Sequence, residues 1–543
     1  METRKTLFAS LAFLFLGLVP NSAMGQSLPH TFSANTAAKA SEVNENFTYL
    51  LERFGTRQTS VNCSAGESIT TALQNYNHIV ISGICTENLN LDATTFPHRL
   101  VILEGSSSSS DGINASDTSD EVIYVKGLIT LKISKLKLTG DTYGIASSTG
   151  PSVILENTLV ENNTNSGIAI WSNSGGWIEN STIQNNSEHA IFSGWSSHVN
   201  IIGNTISGHT NNQSIKITRS GSAWIENNTI TNGKYAGISI DRGASADIIS
   251  NTIQSAEHGI SVLDSSHAIL KNNTVNSNSN SGLYVDNNAS VILAEGNTFS
   301  YNSNYGITLW LGGSLNMWCD AQLTTATTIS NNTQGAINVN SGSTANLCNL
   351  SLSSPSKGIN TGLGAMLNLQ NITITNSQDD GVHLWGAKGW IDNITITGSA
   401  NAGIRVNNGM LSIQNSTISG STKGGIESHQ QSAIHLGGGV IIENNAFGIG
   451  LTNSTLFQYD DESTSYIRNN TNNEIDATMS SIGLSQVTVG GTSGNTEIYL
   501  SQGSILRIGT GTSITGTILC DGSLNTGKFI KDTITLNPTT SGC

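Results

Sequence analysis

The chain has 543 residues and a formal net charge of −15, with 11% charged and 6% aromatic residues. Such an acidic chain lacks the clustered Lys and Arg that bind phosphates, so we expect neither nucleic acid nor an anionic membrane surface as a partner. Polar residues and 57 glycines dominate the composition. Apolar residues nevertheless recur at regular positions, which argues against disorder.

Residues 1–25 have the pattern of a secretory signal peptide. Arg4 and Lys5 precede an apolar run from Leu7 to Val19, and small residues precede a cleavage position at Gln26. The run is too short to span a bilayer comfortably, and no later stretch is apolar enough for a transmembrane helix. The expected location is therefore secreted or at the cell surface, with the periplasm as the alternative.

The N-terminal segment, residues 26–58, contains one predicted amphipathic helix. Ser41 is a candidate helix cap. The apolar residues that follow share one face at helical spacing, namely Val43, Phe47, Leu50, Leu51 and Phe54. The helix either covers the open end of the following domain or forms a short stalk. A monomer is expected, with oligomerisation through this helix as the alternative.

Residues 59–543 are organised by an internal repeat. An apolar residue that follows a small one recurs every 22 to 24 residues, with one interval of 30. These markers are Ile145, Ile168, Ile191, Ile215, Ile238, Ile260, Leu283, Ile307, Ile337, Ile359, Val382, Ile404, Ile426 and Ile449. Such a period predicts a solenoid in which stacked coils bury one continuous core. We expect irregular cap coils at 59–127, regular coils at 128–455 and looser coils at 456–543.

A typical coil contains three short strands, as in Trp224-Ile225-Glu226, Thr229-Ile230-Thr231 and Gly237-Ile238-Ser239-Ile240. Alternation predicts that Ile238 and Ile240 point inward and Ser239 outward. An Asn recurs in the turn one or two residues before the second strand. Asn tolerates the left-handed backbone conformation and satisfies backbone groups of a neighbouring coil, so we interpret these residues as structural ladders.

The six cysteines fall into three local pairs, each about one repeat apart. The pairs are Cys63–Cys85, Cys319–Cys348 and Cys520–Cys543. Residues one repeat apart lie on neighbouring coils at about 4.8 Å, which suits the Cα spacing of a disulfide. Export would permit these disulfides. A metal site is the rival interpretation, but no CxxC motif or His cluster accompanies the cysteines.

The repeat and its Asn-containing turns resemble the right-handed parallel β-helix repeat proteins. These form the pectin-lyase-like superfamily with NosD-like relatives, here of the secreted bacterial type. The resemblance extends from about Cys63 to Cys543 and implies an all-β, right-handed parallel β-helix with three short strands per coil. It is specific for the fold and much less specific for an activity.

One face of the predicted solenoid carries charged residues where the outward positions are otherwise small or neutral. These are Lys357, Asp379, Asp380, His383, Arg405 and Glu427. Paired carboxylates suit glycosidic-bond hydrolysis, and a base beside a cation suits a lyase or epimerase. The alternative is a structural ladder of opposite charges. If the protein is an enzyme, we expect a polysaccharide hydrolase, lyase or epimerase.

Asp379-Asp380 also resembles the Asp-Asp motif of polygalacturonase-type β-helix hydrolases. The upstream Asn-Thr-Asp of those enzymes is matched only by Asn360-Thr361-Gly362, which lacks the acid. Their downstream Gly-His-Gly and Arg-Ile-Lys motifs are absent at comparable distances. The resemblance therefore leaves the activity open.

Tryptophans supply a second candidate site. Trp171, Trp310 and Trp385 lie three residues past the repeat marker, and Trp195 lies one residue further. Exposed indoles at turns can stack on sugar rings, so these four are the predicted carbohydrate-binding residues. The alternative is that they pack under loops. Trp177, Trp224 and Trp390 form another outward column.

No metal site is expected from the His and Cys pattern. His189 and His258 share a column but lie three coils apart, as do His198 and His267. A loose row of Asp241, Asp264 and Asp286 is a candidate weak Ca²⁺ site or a set of solvated turn residues.

The sequence thus predicts an exported β-helix that binds an extracellular polysaccharide or another cell-surface component, with processing of that polymer as a further hypothesis. The alternative is a non-catalytic structural or adhesive surface rod.

Overall fold

The computed structural model describes residues 56–541, except 118–119, 141, 320–325, 354–355, 460–462, 492–495, 522–527 and 532–538. The predicted signal peptide, the predicted helix from Ser41 to Phe54 and Cys543 lie outside the described residues. These three expectations stay predictions.

The chain winds into an all-β parallel solenoid of about 19 turns, which confirms the predicted right-handed β-helix class. Each turn contributes one strand to each of three columns, and neighbouring strands in a column are parallel. We call the columns sheet 1, sheet 2 and sheet 3, in the order in which the chain passes through them within a coil. A strand of three to five residues buries too little surface alone, so its stability depends on the copies above and below.

The strands of sheet 1 are Gln58–Asn62, His78–Ser82, Leu100–Gly105, Thr130–Ser134, Ser152–Glu156, Gly175–Glu179, His198–Ile202, Ser222–Glu226, Ser245–Ile249, His267–Lys271, Ser290–Leu293, Ser314–Met317, Met410–Gln414, Ala433–Leu436, Thr455–Phe457, Ser481–Leu484, Ile505–Ile508 and Lys528–Lys531. The strands of sheet 2 are Ile84–Thr86, Gly112–Asn114, Lys137–Thr139, Leu159–Glu161, Thr182–Gln184, Thr205–His209, Thr229–Gly233, Thr252–Gln254, Thr274–Asn276, Thr298–Ser300, Thr328–Ser330, Thr417–Ser419, Ile441–Glu443, Ser465–Arg468, Val487–Val489 and Ser513–Ile514. Three ten-residue strands run through both sheets, namely Thr344–Ser353, Met366–Thr375 and Lys388–Thr397.

The strands of sheet 3 are Leu89–Asp92, Glu121–Lys126, Tyr143–Ser148, Ile168–Trp171, Ile191–Gly194, Ile215–Ile217, Ala236–Ile240, His258–Val262, Leu283–Val285, Tyr305–Leu309, Gly335–Val339, Lys357–Thr361, Val382–Trp385, Ile404–Asn407, Gly424–His429, Phe447–Thr452, Ile475–Thr478, Thr496–Ser501, Thr517–Cys520 and Thr539–Ser541.

The core is a column of aliphatic side chains along the solenoid axis. Ile238 and Ile240 are fully buried, as predicted. Ser239, which was predicted to point outward, is also buried, at 1% exposure. Sheet 3 pairs it in register with Lys216 on the preceding coil. On the following coil it pairs with Ser261, which is also buried, so an outward direction does not guarantee contact with water.

Glycine precedes the inward marker because the coils approach closely there. A Cβ on Gly237 would lie 2.4 Å from Ile253 Cγ2 and 2.9 Å from the Gly259 carbonyl oxygen. Both distances are too short for a real Cβ, so a side chain at residue 237 would require the next coil to move. The small residue of the marker is therefore a packing requirement.

The N-terminal end begins with a 3₁₀ turn, Cys63–Ala65, and a short α-helix, Ile69–Ala72. Ser68 caps this helix through the Thr71 amide, and the Glu87 carboxylate accepts hydrogen bonds from the Ile69 and Thr70 amides. Ile69 is fully buried. The carboxylate satisfies amides that a helix N-terminus leaves free, so it fastens the first coil to the second.

Two of the three predicted disulfides are present. Cys63 bonds to Cys85 with the Cα atoms 4.8 Å apart, and Cys319 bonds to Cys348 with the Cα atoms 5.7 Å apart. Both link neighbouring coils, as the repeat period predicted. The Cys520–Cys543 pair remains a prediction because Cys543 is not described.

The Asn residues of the turn between sheets 1 and 2 have two separate roles. Asn227 has a φ of 56° and is exposed at the turn. The next residue, Asn228, is buried, and its side-chain oxygen accepts from the Asn204 amide on the preceding coil. Asn251 repeats this contact with Asn228. The predicted ladder is thus two adjacent columns, one for the left-handed backbone and one for buried hydrogen bonds.

Among the described helices, none is long and apolar enough to cross a membrane.

Candidate functional site

The four predicted carbohydrate-binding tryptophans lie along one edge of the solenoid. Trp171 and Trp385 end strands of sheet 3, and Trp195 and Trp310 directly follow such strands. Parallel strands all end at the same side, so these residues mark the turns between sheet 3 and the following strand of sheet 1. We call this the sheet 3–sheet 1 edge. From Trp171 to Trp385 it extends over nine coil steps, about 43 Å.

The indoles on this edge are accessible. Trp195, Trp310 and Trp385 are 42%, 38% and 52% exposed, and Trp171 is half-buried. Loops therefore leave a large part of these three indoles in contact with solvent. Trp177 and Trp224 behave differently, because each indole donates a hydrogen bond to the carboxylate two residues later, Glu179 and Glu226 respectively.

Trp171 and Trp195 come together in an aromatic cluster. The Trp171 ring makes edge-on contacts with Tyr143 at 5.5 Å, Phe192 at 6.3 Å and Trp195 at 6.1 Å between centroids. The cluster lines a groove of about 320 Å³. We call it the aromatic groove. Its lining residues are Tyr143, Asn165, Ser166, Trp171, Glu188, His189, Phe192 and Trp195.

His189 contributes a neutral ring to the aromatic groove. Burial lowers the pKa of His189 to about 4, although its hydrogen bond with the Gln213 carbonyl opposes the shift. The ring therefore carries no charge at neutral pH. A neutral imidazole beside indoles and an Asn side chain offers hydrogen-bond groups without strongly solvated charge, which suits a hydroxyl-rich ligand.

A second groove lies on the outer face of sheet 1 and was not predicted. It has a volume of about 310 Å³ and is lined by Lys388, Gly389, Trp390, Met410, Leu411, Ser412, Ala433, His435, Phe457 and Tyr459. The His435 ring stacks on Phe457 with centroids 4.9 Å apart. The register places Trp390, Ser412, His435 and Phe457 in one column, at intervals that the sequence repeat already contained.

The six predicted catalytic residues do form one charged patch on sheet 3. Arg405 lies between two carboxylates: its Nε is 3.0 Å from Asp380 Oδ2, and its Nη1 is 3.0 Å from Glu427 Oε2. Lys357 Nζ is 3.7 Å from Asp379 Oδ2. Asp380 is 2% exposed and also accepts from the Ala402 amide. This pairing is the arrangement that the charge-ladder interpretation predicted.

His383 is the exception within the patch. Its Nδ1 lies 3.9 Å from Asp380 Oδ2, beyond hydrogen-bond distance, and neither ring nitrogen has a partner among the described residues. Burial lowers the pKa of His383, and the nearby charges of Asp380 and Lys357 act in opposite directions. Both ring nitrogens are buried, so the imidazole is enclosed within the patch.

The column of Glu427 continues into a third groove. Sheet 3 pairs Glu427 with Gly450, and Gly450 with Asp476. A Cβ on Gly450 would meet only Glu427 Cγ, at 4.0 Å, so open space separates the two acids. The groove has a volume of about 240 Å³ and is lined by Glu427, His429, Phe447, Gly450, Leu451, Thr452, Asp476 and Thr478. Asp476 was missed because its coil is 26 residues long.

The two acids of this groove experience opposite environments. Burial raises the pKa of Asp476, and only one hydrogen bond, from Asn473 Nδ2, opposes it. Burial also acts to raise the pKa of Glu427, but the His429 ring at 3.9 Å and the Arg405 guanidinium outweigh it and hold the pKa below its usual value. The pKa of Asp476 is thus shifted upward and that of Glu427 downward.

Comparison with known families agrees with this architecture. The model for the right-handed beta helix region matches residues 209–333 and 317–502, together more than half of the chain. The chain belongs to the right-handed β-helix family. A second model, described as periplasmic copper-binding protein (NosD), matches residues 75–257 of this β-helix. A search of proteins with curated functions gave no match.

Solved structures with similar folds include the periplasmic alginate epimerase AlgG. It is 12% identical, with 78% of this chain and 86% of that chain covered and a TM-score of 0.32. Another is the catalytic domain of a GH87 α-1,3-glucanase in complex with tetrasaccharides, at 16% identity, 70% and 66% coverage and a TM-score of 0.31. These likenesses concern the fold alone.

The acidic row does not form a metal site in this β-helix. Asp241 pairs with Lys216 at 3.2 Å, and Asp264 accepts a hydrogen bond of 2.6 Å from Asn287 Nδ2. Asp286 accepts from the Tyr284 hydroxyl. Across the described part of the chain, no group of three or more His, Cys, Asp or Glu side chains is placed to hold a metal ion.

Proposed function

We propose that this β-helix is an exported protein that binds an extended extracellular polysaccharide along the sheet 3–sheet 1 edge. The observation that carries the proposal is the aromatic groove, where Trp171 and Trp195 meet beside polar side chains. Sugar rings present apolar faces and hydroxyl edges, and indoles supply a flat apolar surface together with a donor. Asn165, Ser166 and Glu188 supply hydrogen-bond groups to the same space.

The linear arrangement of the edge supports a polymer ligand. Trp310 and Trp385 lie on the same edge as the groove, six and nine coil steps beyond Trp171, or about 29 and 43 Å. No single sugar ring spans such distances. A chain that lay parallel to the solenoid axis would meet these side chains one after another, so binding should strengthen with chain length.

The rival proposal is a structural or adhesive rod. The charged patch favours this rival, because Asp380, Arg405 and Glu427 satisfy one another. The aromatic groove favours glycan binding, because a contiguous exposed patch of aromatic side chains is typical of a binding surface. The two proposals therefore differ in what they expect of the tryptophans.

The test is a binding screen of the purified protein against a panel of polysaccharides and their oligosaccharides. Replacement of both Trp171 and Trp195 by Ala should weaken binding at least tenfold, because each lost stacking contact contributes on the order of 1 kcal/mol. Trp318→Ala is the matched control, since Trp318 is 48% exposed but follows a strand of sheet 1. Absence of wild-type binding to every glycan would refute the proposal.

A second candidate function is glycoside hydrolysis at Glu427 and Asp476. The specific observation is the pair of carboxyl groups across Gly450, whose surroundings shift their pKa values in opposite directions. The strands that carry them are two coil steps apart, about 10 Å. That spacing is closer to the roughly 6.5–9.5 Å of inverting glycosidases than to the roughly 5–5.5 Å of retaining ones.

In this second candidate, Asp476 donates its proton to the glycosidic oxygen while Glu427 removes a proton from water. The water oxygen bonds to the anomeric carbon as the bond to the leaving sugar breaks. Asp476→Asn and Glu427→Gln should each reduce the release of reducing ends by about 100-fold or more. Asp392→Asn, on sheet 1, is the control. A wild-type protein that binds a glycan without cleaving it would refute hydrolysis and leave the binding proposal intact.

A further inference from the structure

The turn position of Trp195 is occupied by arginine on the next two coils. Trp195, Arg219 and Arg242 all have left-handed backbones, with φ of 52°, 51° and 54°. The amide of Ser196 donates to the Arg219 carbonyl, and the amide of Ser220 donates to the Arg242 carbonyl, each at 3.2 Å. The three residues therefore stack in one column of the sheet 3–sheet 1 edge, with about 4.8 Å between neighbours.

The Arg219 guanidinium lies over the Trp195 ring, 4.1 Å from its centroid. This contact fixes the charge beside the aromatic groove, of which Trp195 is a wall. Arg219 and Arg242 are both exposed. Along this edge, the aromatic groove is thus followed by two adjacent cationic side chains.

Neither arginine forms an ion pair with a carboxylate of the described residues. Other cations of the chain do so, as Lys216 with Asp241 and Lys271 with Glu295 show. The acid nearest along the column is Asp264, on the coil after Arg242, and its carboxylate accepts from Asn287 instead. Two like charges on adjacent coils repel each other, and an anion between them would remove that repulsion.

We infer that the edge recognises an acidic glycan, whose carboxylate or sulfate groups bind Arg219 and Arg242 while an adjoining sugar ring occupies the aromatic groove. This inference rests on the proposed glycan binding and adds the chemical class of the ligand. A guanidinium suits the task because its planar fork can donate two parallel hydrogen bonds to a carboxylate or sulfate.

The net charge of the whole molecule makes the position of Arg219 and Arg242 informative about the ligand. A net charge of −15 repels a polyanion, so an acidic glycan gains attraction only where cations are concentrated and unpaired. Salt should then weaken the binding of acidic glycans, because exposed charges are screened over about 10 Å at 0.1 M salt. Binding of a neutral glycan in the groove should change much less with salt.

The experiment compares four probes by titration calorimetry at 50 and 300 mM NaCl: a galacturonic acid hexasaccharide, a sulfated glycosaminoglycan hexasaccharide, maltohexaose and inorganic polyphosphate. Arg219→Gln and Arg242→Gln should each weaken binding of the preferred acidic hexasaccharide about two- to fivefold, and the double variant about tenfold. Maltohexaose binding should stay within twofold. Arg507→Gln, an exposed arginine in a distant strand of sheet 1, is the matched control.

The two acidic probes distinguish a carboxylate from a sulfate ester as the recognised group, and preference for either supports the inference. The inference would be overturned if neutral and acidic hexasaccharides bound with equal affinity and neither arginine substitution changed that affinity. Glycan binding itself would then still stand. Polyphosphate binding that matches the acidic glycans and persists after Trp171→Ala would also overturn it, as general ion exchange. If none of the four probes binds but another glycan of the wider panel does, the inference of an acidic ligand is overturned and the proposal of glycan binding stands.

Discussion

Glu474 and Glu497 occupy a position that earlier coils reserve for small residues. Gly425 and Gly448 precede the marker on the two coils before them, and there a Cβ would collide with the next coil. Both glutamates are buried, at 3% and 4% exposure. The Glu474 carboxylate accepts hydrogen bonds from the Asn470 amide and side chain. Burial and the charge of Glu474 raise the pKa of Glu497 to about 7.

This pair should make the C-terminal coils less stable as pH rises. A carboxyl group whose folded pKa lies above its unfolded value stabilises the fold below pH 4.5, and this contribution is lost as pH rises through about 7. Hydrogen exchange of residues 474–520 should therefore show a loss on the order of 1–2 kcal/mol between pH 5 and pH 8. Glu497→Gln should flatten this dependence, whereas Glu226→Gln on sheet 1 should leave it unchanged. An unaltered pH profile in Glu497→Gln would contradict the assignment.

The Arg405 contacts show why charge type alone did not locate a catalytic group. Asp380 was predicted as a catalytic residue, but its buried carboxylate accepts a hydrogen bond that Arg405 Nε shares between both oxygens, so it is held by that guanidinium. Glu427 faces the open groove as well as Arg405. The catalytic role of the patch remains a proposal, and among its members Glu427 has the clearest access to a ligand.

At the scale of the strand and turn, the buried Asn ladder joins the coils more tightly than the exposed turn residues do. The Asn251 side chain donates to the Ile225 carbonyl at 2.9 Å and to Asn273 Oδ1 at 3.1 Å. Its oxygen accepts from the Asn228 amide. Asn251 therefore satisfies backbone groups of the preceding coil and bonds to the Asn side chain of the following coil.

Asn251→Ala should destabilise the regular coils by about 1–3 kcal/mol, because it leaves buried donors and acceptors without partners. The measurement is the urea dependence of unfolding, followed by circular dichroism. Asn227→Gly is the matched control, since Asn227 is exposed and its φ of 56° is one that Gly adopts freely. We expect a change within about 0.5 kcal/mol for the control. Equal effects of the two substitutions would show that the ladder adds nothing beyond the turn conformation.

At the scale of the molecule, the described residues form a stack of coils that share the same three sheets and edges. Sheet 3 contains twenty described strands, so its length is about 90 Å at the strand spacing. Side chains at one turn position therefore form a line parallel to the axis. This geometry explains why Trp195, Arg219 and Arg242 lie together although 47 residues separate the first from the last. A linear polymer is the ligand shape that such a line fits.

The sequence predicted much of this architecture because the period is a local property. The marker intervals located the coils, paired Cys63 with Cys85 and Cys319 with Cys348, and grouped the tryptophans on one edge. The same arithmetic brought Lys357, Asp379, Asp380, His383, Arg405 and Glu427 to one face. The period did not place Asp476 beside Glu427, because an insertion before Ile475 makes that coil longer than the repeat.

The sequence by itself determined the fold class, the register of the regular coils and the columns in which candidate residues lie. Only the tertiary structure decided which side chains within a column are free to act. Ser239 is buried, Asp380 is paired with Arg405, and Trp177 donates to Glu179, whereas Trp195 and Trp385 stay exposed. The physical reason is that backbone period fixes the direction of a side chain, while its partners and its exposure depend on the size and charge of neighbours on other coils.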